Sequence, residues 1–72
     1  MTSKEAKALI GRAIKYTKIH SSYIYWNYAT VLSVQGKNME VDEMGMKDWI
    51  WLPDVYIVPI APEISSTSGK DL

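Results

Sequence analysis

A chain of 72 residues with 8 basic and 8 acidic side chains, a formal net charge of zero and no cysteine excludes several classes of protein at once. It is one domain near the small end of what folds alone, with a core able to supply about 3–5 kcal/mol of net stability. It has no disulfide, thiolate metal site or thiol nucleophile, and a reducing, cytoplasmic setting fits. The balanced charge lacks the overall basic excess usual for a nucleic-acid binder. No apolar run nears the roughly 20 residues that span a bilayer, and with charges scattered through "MTSKEAKALIGRAIK" no signal peptide is expected. A soluble protein without a membrane partner is expected.

Thr2-Ser3-Lys4-Glu5 is a capping-box pattern, in which hydroxyl and carboxylate each satisfy an early helix amide. Ala6, Leu9 and Ile10 follow at helical spacing. Ala13 and Ile14 would extend it, but Gly11 is a poor interior helix residue and "AIKYTKI" is rich in β-branched and aromatic types. A helix within residues 1–11, followed by a strand, is the expectation. "HSSYIYWN" (20–27) reads as a long loop or the flanks of a hairpin. "YATVLSV" (28–34) reads as a strand with Ala29 and Val31 on one face and Val34 returned to it by a bulge. "QGKN" (35–38) is a turn. "MEVDEM" (39–44) alternates Met39 and Val41 inward with Glu40 and Asp42 outward. Gly45 opens a tight hairpin into "KDWIWL", Pro53-Asp54 ends that strand, and "VYIVPI" (55–60) closes the set, with Pro59 marking an edge or an end. From Ala61 the chain has almost nothing to bury, so residues 61–72 are expected to be a disordered tail. Short strands, tight turns and one helix point to a mainly β fold, a small five-stranded antiparallel barrel over residues 12–60 with the helix packed on it.

"WLPDVYI" (51–57) resembles the SH3 signature of aromatic, hydrophobe, proline, two variable residues, tyrosine and hydrophobe. In that family the segment is a strand end, a 3₁₀ turn and the last strand. "WNYATVLSVQGKNMEV" (26–41) is similar to the Tudor pattern, an aromatic three positions before an alanine, then alternating valines and a turn glycine. The chain departs from both: it lacks the Ala-Leu-Tyr-Asp-Tyr stretch and acidic loop of signalling SH3 domains, and Glu43-Met44-Gly45 stands where Tudor domains have Asp-Tyr-Gly. The resemblance implies an SH3-like barrel with a ligand face where the 20–27 loop meets the 43–48 hairpin and its following strand. Tyr23, Tyr25, Trp26, Trp49, Trp51 and Tyr56 are concentrated there. Independently of any family, such rings offer large apolar area, a quadrupole and few rotors to freeze, so they suit stacking on prolines, bases or alkylated ammonium groups. With no phenylalanine in the chain, some of these rings could equally serve as packing or as a subunit interface.

Charge is unevenly spread. Lys4, Lys7, Arg12, Lys15 and Lys18 crowd the first eighteen residues, whereas Glu40, Asp42, Glu43, Asp48, Asp54 and Glu63 dominate the rest. The basic set would be the nucleic-acid contacts if the partner were a nucleic acid, with aromatics stacking on bases, provided that it shares a side with the rings. Acidic residues bordering the rings would instead favour a cationic peptide. Oppositely charged halves also allow a homo-oligomer. Catalytic chemistry finds no foothold: His20 is the single histidine, the carboxylates do not match a calcium loop, and Gly36 and Gly45 belong to hairpin turns, not to a phosphate loop. A plasmid-borne dihydrofolate reductase family assembles its pore from SH3-like barrels, but its Val-Gln-Ile-Tyr strand would fall on Trp49-Ile50-Trp51-Leu52, which differs in nearly every position. The expectation is a binding or adaptor module for a protein segment, not an enzyme, with no cofactor and no metal.

Overall fold

A computed structural model of the chain describes residues 1–60, so the expected tail at 61–72 lies outside the described residues. Helix α1 spans Ser3–Lys7 and carries the anticipated capping box: Glu5 N–H donates to Thr2 Oγ1 (3.1 Å), and Thr2 N–H donates to Glu5 Oε1 (2.8 Å). The Thr2 backbone N–H, then its hydroxyl, hold the Glu5 carboxyl below its ordinary range.

The helix is shorter than the 1–11 segment reserved for it, and Ile10 is exposed instead of facing the core. Beyond Lys7 the chain tightens through Leu9 N–H to Ala6 C=O (2.9 Å) and Arg12 N–H to Leu9 C=O (2.8 Å). Gly11, at φ +86°, then turns it onto the sheet, where Gly11 N–H bonds Val31 C=O (2.8 Å) and Val31 N–H bonds Arg12 C=O (3.0 Å). Pairing with the sheet outweighs the helical spacing of the sequence. Among the described residues no helix is long and apolar enough to cross a membrane.

Five strands follow: β1 Ala13–Lys18, β2 Asn27–Gln35, β3 Asn38–Glu43, β4 Met46–Trp51 and β5 Val55–Pro59, with a 3₁₀ turn at Leu52–Asp54. All pairings are antiparallel, in the order β4-β3-β2-β1-β5. Among the described residues the sheet does not close into a barrel: β4 and β5 are its two edges. After Trp51 the 3₁₀ turn carries the chain away from β4, and β5 pairs with β1 instead (Ile14↔Pro59 to Lys18↔Val55).

One face of the sheet supplies the core. Ile14, Tyr16, Ala29, Val31, Met39, Val41, Ile50, Leu52 and Val55 form a single buried cluster with Ala6 and Leu9 from the N-terminal segment. Period-two alternation puts these residues on one side of each strand. The register shift between Val31 and Ser33 returns Val34 to that side, where it packs against the cluster.

The β3–β4 turn is two residues long, with Met44 at φ +54° and Gly45 at φ +89°, the sign pattern of a type I′ hairpin. Gly45 N–H donates to Asp42 Oδ1 (2.8 Å). Met44 is fully exposed and gains no packing to offset a backbone region that L-residues other than asparagine and aspartate avoid. Met44→Asn should therefore raise the unfolding free energy by about 1 kcal/mol, measured by urea denaturation with an unchanged slope.

Candidate functional site

Aromatic side chains left outside the core fall into two groups. The first surrounds the β1–β2 connection. Thr17 belongs by parity to the outer face of β1, yet it is buried, because the loop folds over it and Tyr25 N–H donates to Thr17 Oγ1 (3.2 Å). Thr17, Lys18, Ser21, Tyr23, Ile24, Tyr25 and Asn27 line an open groove of about 580 Å³. Tyr23, Ile24 and Tyr25 are all exposed. Nearby on the same outer face, the Lys15 ammonium lies 4.7 Å from the centre of the Trp26 ring, a cation–π contact. Tyr56 pairs across from Thr17, and Lys15 sits between Tyr28 and Val58.

The second group is at the β4 edge. Trp49 and Trp51 are 49% and 48% exposed, whereas Ile50 and Leu52 between and after them are buried. Glu40 and Asn38 are their cross-strand neighbours. A groove of about 250 Å³ is lined by Tyr16, Lys18, Asp48, Trp49, Ile50, Trp51, Asp54 and Val55. Tyr16 reaches along the core face from β1 to donate its hydroxyl proton to Glu43 Oε2 at the end of β3. Burial first, then this hydrogen bond and the charges of Glu43 and Asp48, raise the Tyr16 phenol well above its ordinary value. It is a neutral donor at any physiological pH.

The six rings singled out in the sequence thus do not make one surface. Tyr23 and Tyr25 share the loop groove, Trp26 covers Lys15, Tyr56 lies on the outer face of β5, and Trp49 with Trp51 line the β4 groove. The basic residues divide too. Lys4 and Lys7 are on α1 and Arg12 is on the connection into β1, while Lys15 and Lys18 stand among the aromatics. Lys18 borders both grooves.

Tyr16 and Ile24 join the site only in the structure. Tyr16 shares the parity of Ile14, a signal that it faces inward; nothing in the sequence points to its distant partner Glu43. Among the described residues, no three His, Cys, Asp or Glu side chains gather as metal ligands. Comparison of the chain with protein-family models, curated proteins and solved structures gives no match.

The raised Tyr16 value fixes the direction of an alkaline effect. A phenol that holds its proton more tightly when folded contributes stability that is fully present below the unfolded value, near 10. That contribution is lost as pH rises from there towards the folded value. Above about pH 10, Tyr16→Phe should lose stability less steeply than the parent chain. At neutral pH the same change should cost about 2 kcal/mol through the lost bond to a carboxylate. Chemical denaturation of both proteins from pH 7 to 11 checks both expectations.

Proposed function

We propose that this chain is a non-catalytic binding module of SH3-like design that recognises a cationic segment of a partner protein through Trp49 and Trp51. The SH3-like assignment draws support from the segment that resembles the family's signature: Trp51 ends a strand, Leu52–Asp54 is a 3₁₀ turn and Val55–Pro59 is the last strand.

The observation that carries the functional reading is the make-up of the β4 groove. Trp49 and Trp51, both half-exposed, line this groove together with Asp48 and Asp54; Lys18 is the cation among its described lining residues, and Tyr16, also in the lining, donates to Glu43. Aromatic faces attract ammonium and guanidinium groups, and so do the carboxylates that share the groove's lining. The same carboxylates repel a phosphate backbone, and Lys4, Lys7 and Arg12 lie on other elements. A protein segment is therefore favoured over nucleic acid. The rings bring large contact area with few rotors to immobilise, which suits them to anchor a short ligand.

Titration of isotope-labelled protein with basic peptides, methyl-lysine and oligonucleotides tests the reading, and the Trp49 and Trp51 indole resonances should respond to the cationic ligands. Trp51→Ala should weaken binding of a responding peptide by about 2 kcal/mol or more. Being half-exposed, the ring should cost the fold less than the roughly 3–5 kcal/mol of a buried tryptophan. Thermal melts run beside the titrations separate the two effects, and unfolding of both Trp49→Ala and Trp51→Ala would remove the ligand site.

A further inference from the structure

The two edges of the sheet are not equivalent. On the β5 side, Ile19 N–H bonds Asp54 C=O (2.9 Å) and Ile60 N–H bonds Ala13 C=O (3.0 Å). With the β1–β5 register, these bonds make Thr17↔Tyr56 and Lys15↔Val58 the hydrogen-bonded pairs. Val55, Ile57 and Pro59 then face their backbone groups outward. Val55 N–H is turned back to Leu52 C=O, and Pro59 has no N–H. Little remains on this edge for another strand to join, the usual way an edge is blunted.

The β4 edge is different. Leu52 N–H bonds Lys37 C=O (2.8 Å), so in this register Ile50, Asp48 and Met46 bond to β3. Lys47, Trp49 and Trp51 turn their N–H and C=O groups outward along an extended, exposed strand. Asp48 guards it: its Oδ1 accepts a hydrogen bond from Trp49 N–H (2.8 Å). Asp48 has the parity of core-facing Val41 and Ile50 but is exposed, which makes it an inward-parity charge on an edge strand.

We propose that β4 accepts a short, extended, basic segment of a partner protein as a sixth, antiparallel strand, and that Asp48 selects for its positive charge. This rests on the reading of the Trp49–Trp51 groove given above and adds the mode of attachment. In the new ladder Lys47, Trp49 and Trp51 occupy hydrogen-bonded positions, so Asp48 occupies the alternate position, where cross-strand side chains come closest. A joining strand displaces the Asp48 carboxylate from Trp49 N–H. A lysine or arginine opposite Asp48 compensates the displaced carboxylate, and a glutamate there repels it. Asp54 and Glu43 reinforce the preference. The partner's alternate residues lie beside the indoles, where apolar side chains fit. Main-chain bonds supply affinity and alternate side chains supply selectivity, as in strand addition generally.

The test uses the full chain, isotope-labelled, with two blocked hexapeptides, one alternating valine with lysine and one alternating valine with glutamate. With the lysine peptide, the Trp49 and Trp51 indole resonances should shift. Exchange of the Lys47 and Trp51 amides should slow by about tenfold or more. The glutamate peptide should bind about tenfold more weakly or worse, and Asp48→Asn should erase most of that difference while retaining the dispersed spectrum of the folded protein. Indole shifts without slower exchange at Lys47 and Trp51 would overturn strand addition and leave the groove reading standing. No indole response to the lysine peptide or to any other cationic ligand would overturn both. Exchange at these amides that slows with protein concentration alone would assign the edge to a second copy of the chain and overturn the proposed occupant.

Discussion

Both edges of β1 are occupied, and the architecture hangs on that double pairing. One edge binds β2 and the other binds β5, and Ile19 N–H to Asp54 C=O and Ile60 N–H to Ala13 C=O extend the second ladder past both ends of the strand. Through β1 the β2–β3–β4 meander and the last strand become one sheet with one buried face. Ile14 and Tyr16, its inward residues, sit in the cluster that unites all five strands with the N-terminal segment. In so short a chain each strand has a single face to bury, and losing β1 would leave β5 without a partner and the core without its middle.

The same strand assembles the candidate site. Tyr16 and Lys18 come from β1, the indoles and Asp48 from β4, and Asp54 and Val55 from the connection that brings the chain back to β1. The hydroxyl of Tyr16 on Glu43 ties the centre of the sheet to the tip of its outermost hairpin. The groove is thus a by-product of where the sheet stops: among the described residues β5 pairs with β1, and β4 has no second neighbour.

Much of this was legible in the residues. Alternation at 39–44 and 48–52 assigned Met39, Val41, Ile50 and Leu52 inward and both tryptophans outward, as the burial of each residue bears out. Gly36 and Gly45 marked turns that do adopt positive φ, and Val34 followed the bulge. The short helix lies inside the 1–11 segment but ends at Lys7, before the helically spaced Leu9 and Ile10, because backbone bonds from Gly11 and Arg12 to Val31 decide where the chain leaves it. Such bonds involve a residue distant in sequence and leave no local mark. The expected closure into a barrel fails for a similar reason, since alternation tells which side of a strand is buried and not whether the outer strands meet. The two-group division of the aromatics depends on that outcome, and so does the meeting of Tyr16 with Glu43.

The Asp48 bond to Trp49 N–H joins adjacent residues, and this locality matters for the order in which the molecule assembles. The β2–β3 and β3–β4 hairpins close through tight turns and belong to the fast, low-contact-order part of the fold, forming on a scale of about 1–10 μs. The β1–β5 ladder, which brings Ile14 to Pro59, must wait for nearly the whole described chain to be enclosed and bears the loop-closure entropy of doing so. Between those events the meander exists with strand edges exposed, the situation in which nascent sheets aggregate. A carboxylate that needs nothing beyond its own neighbour can occupy the Trp49 amide as soon as β4 is extended. The guard on the finished edge thus needs no tertiary contact, and an isolated β4 hairpin contains everything required to form it.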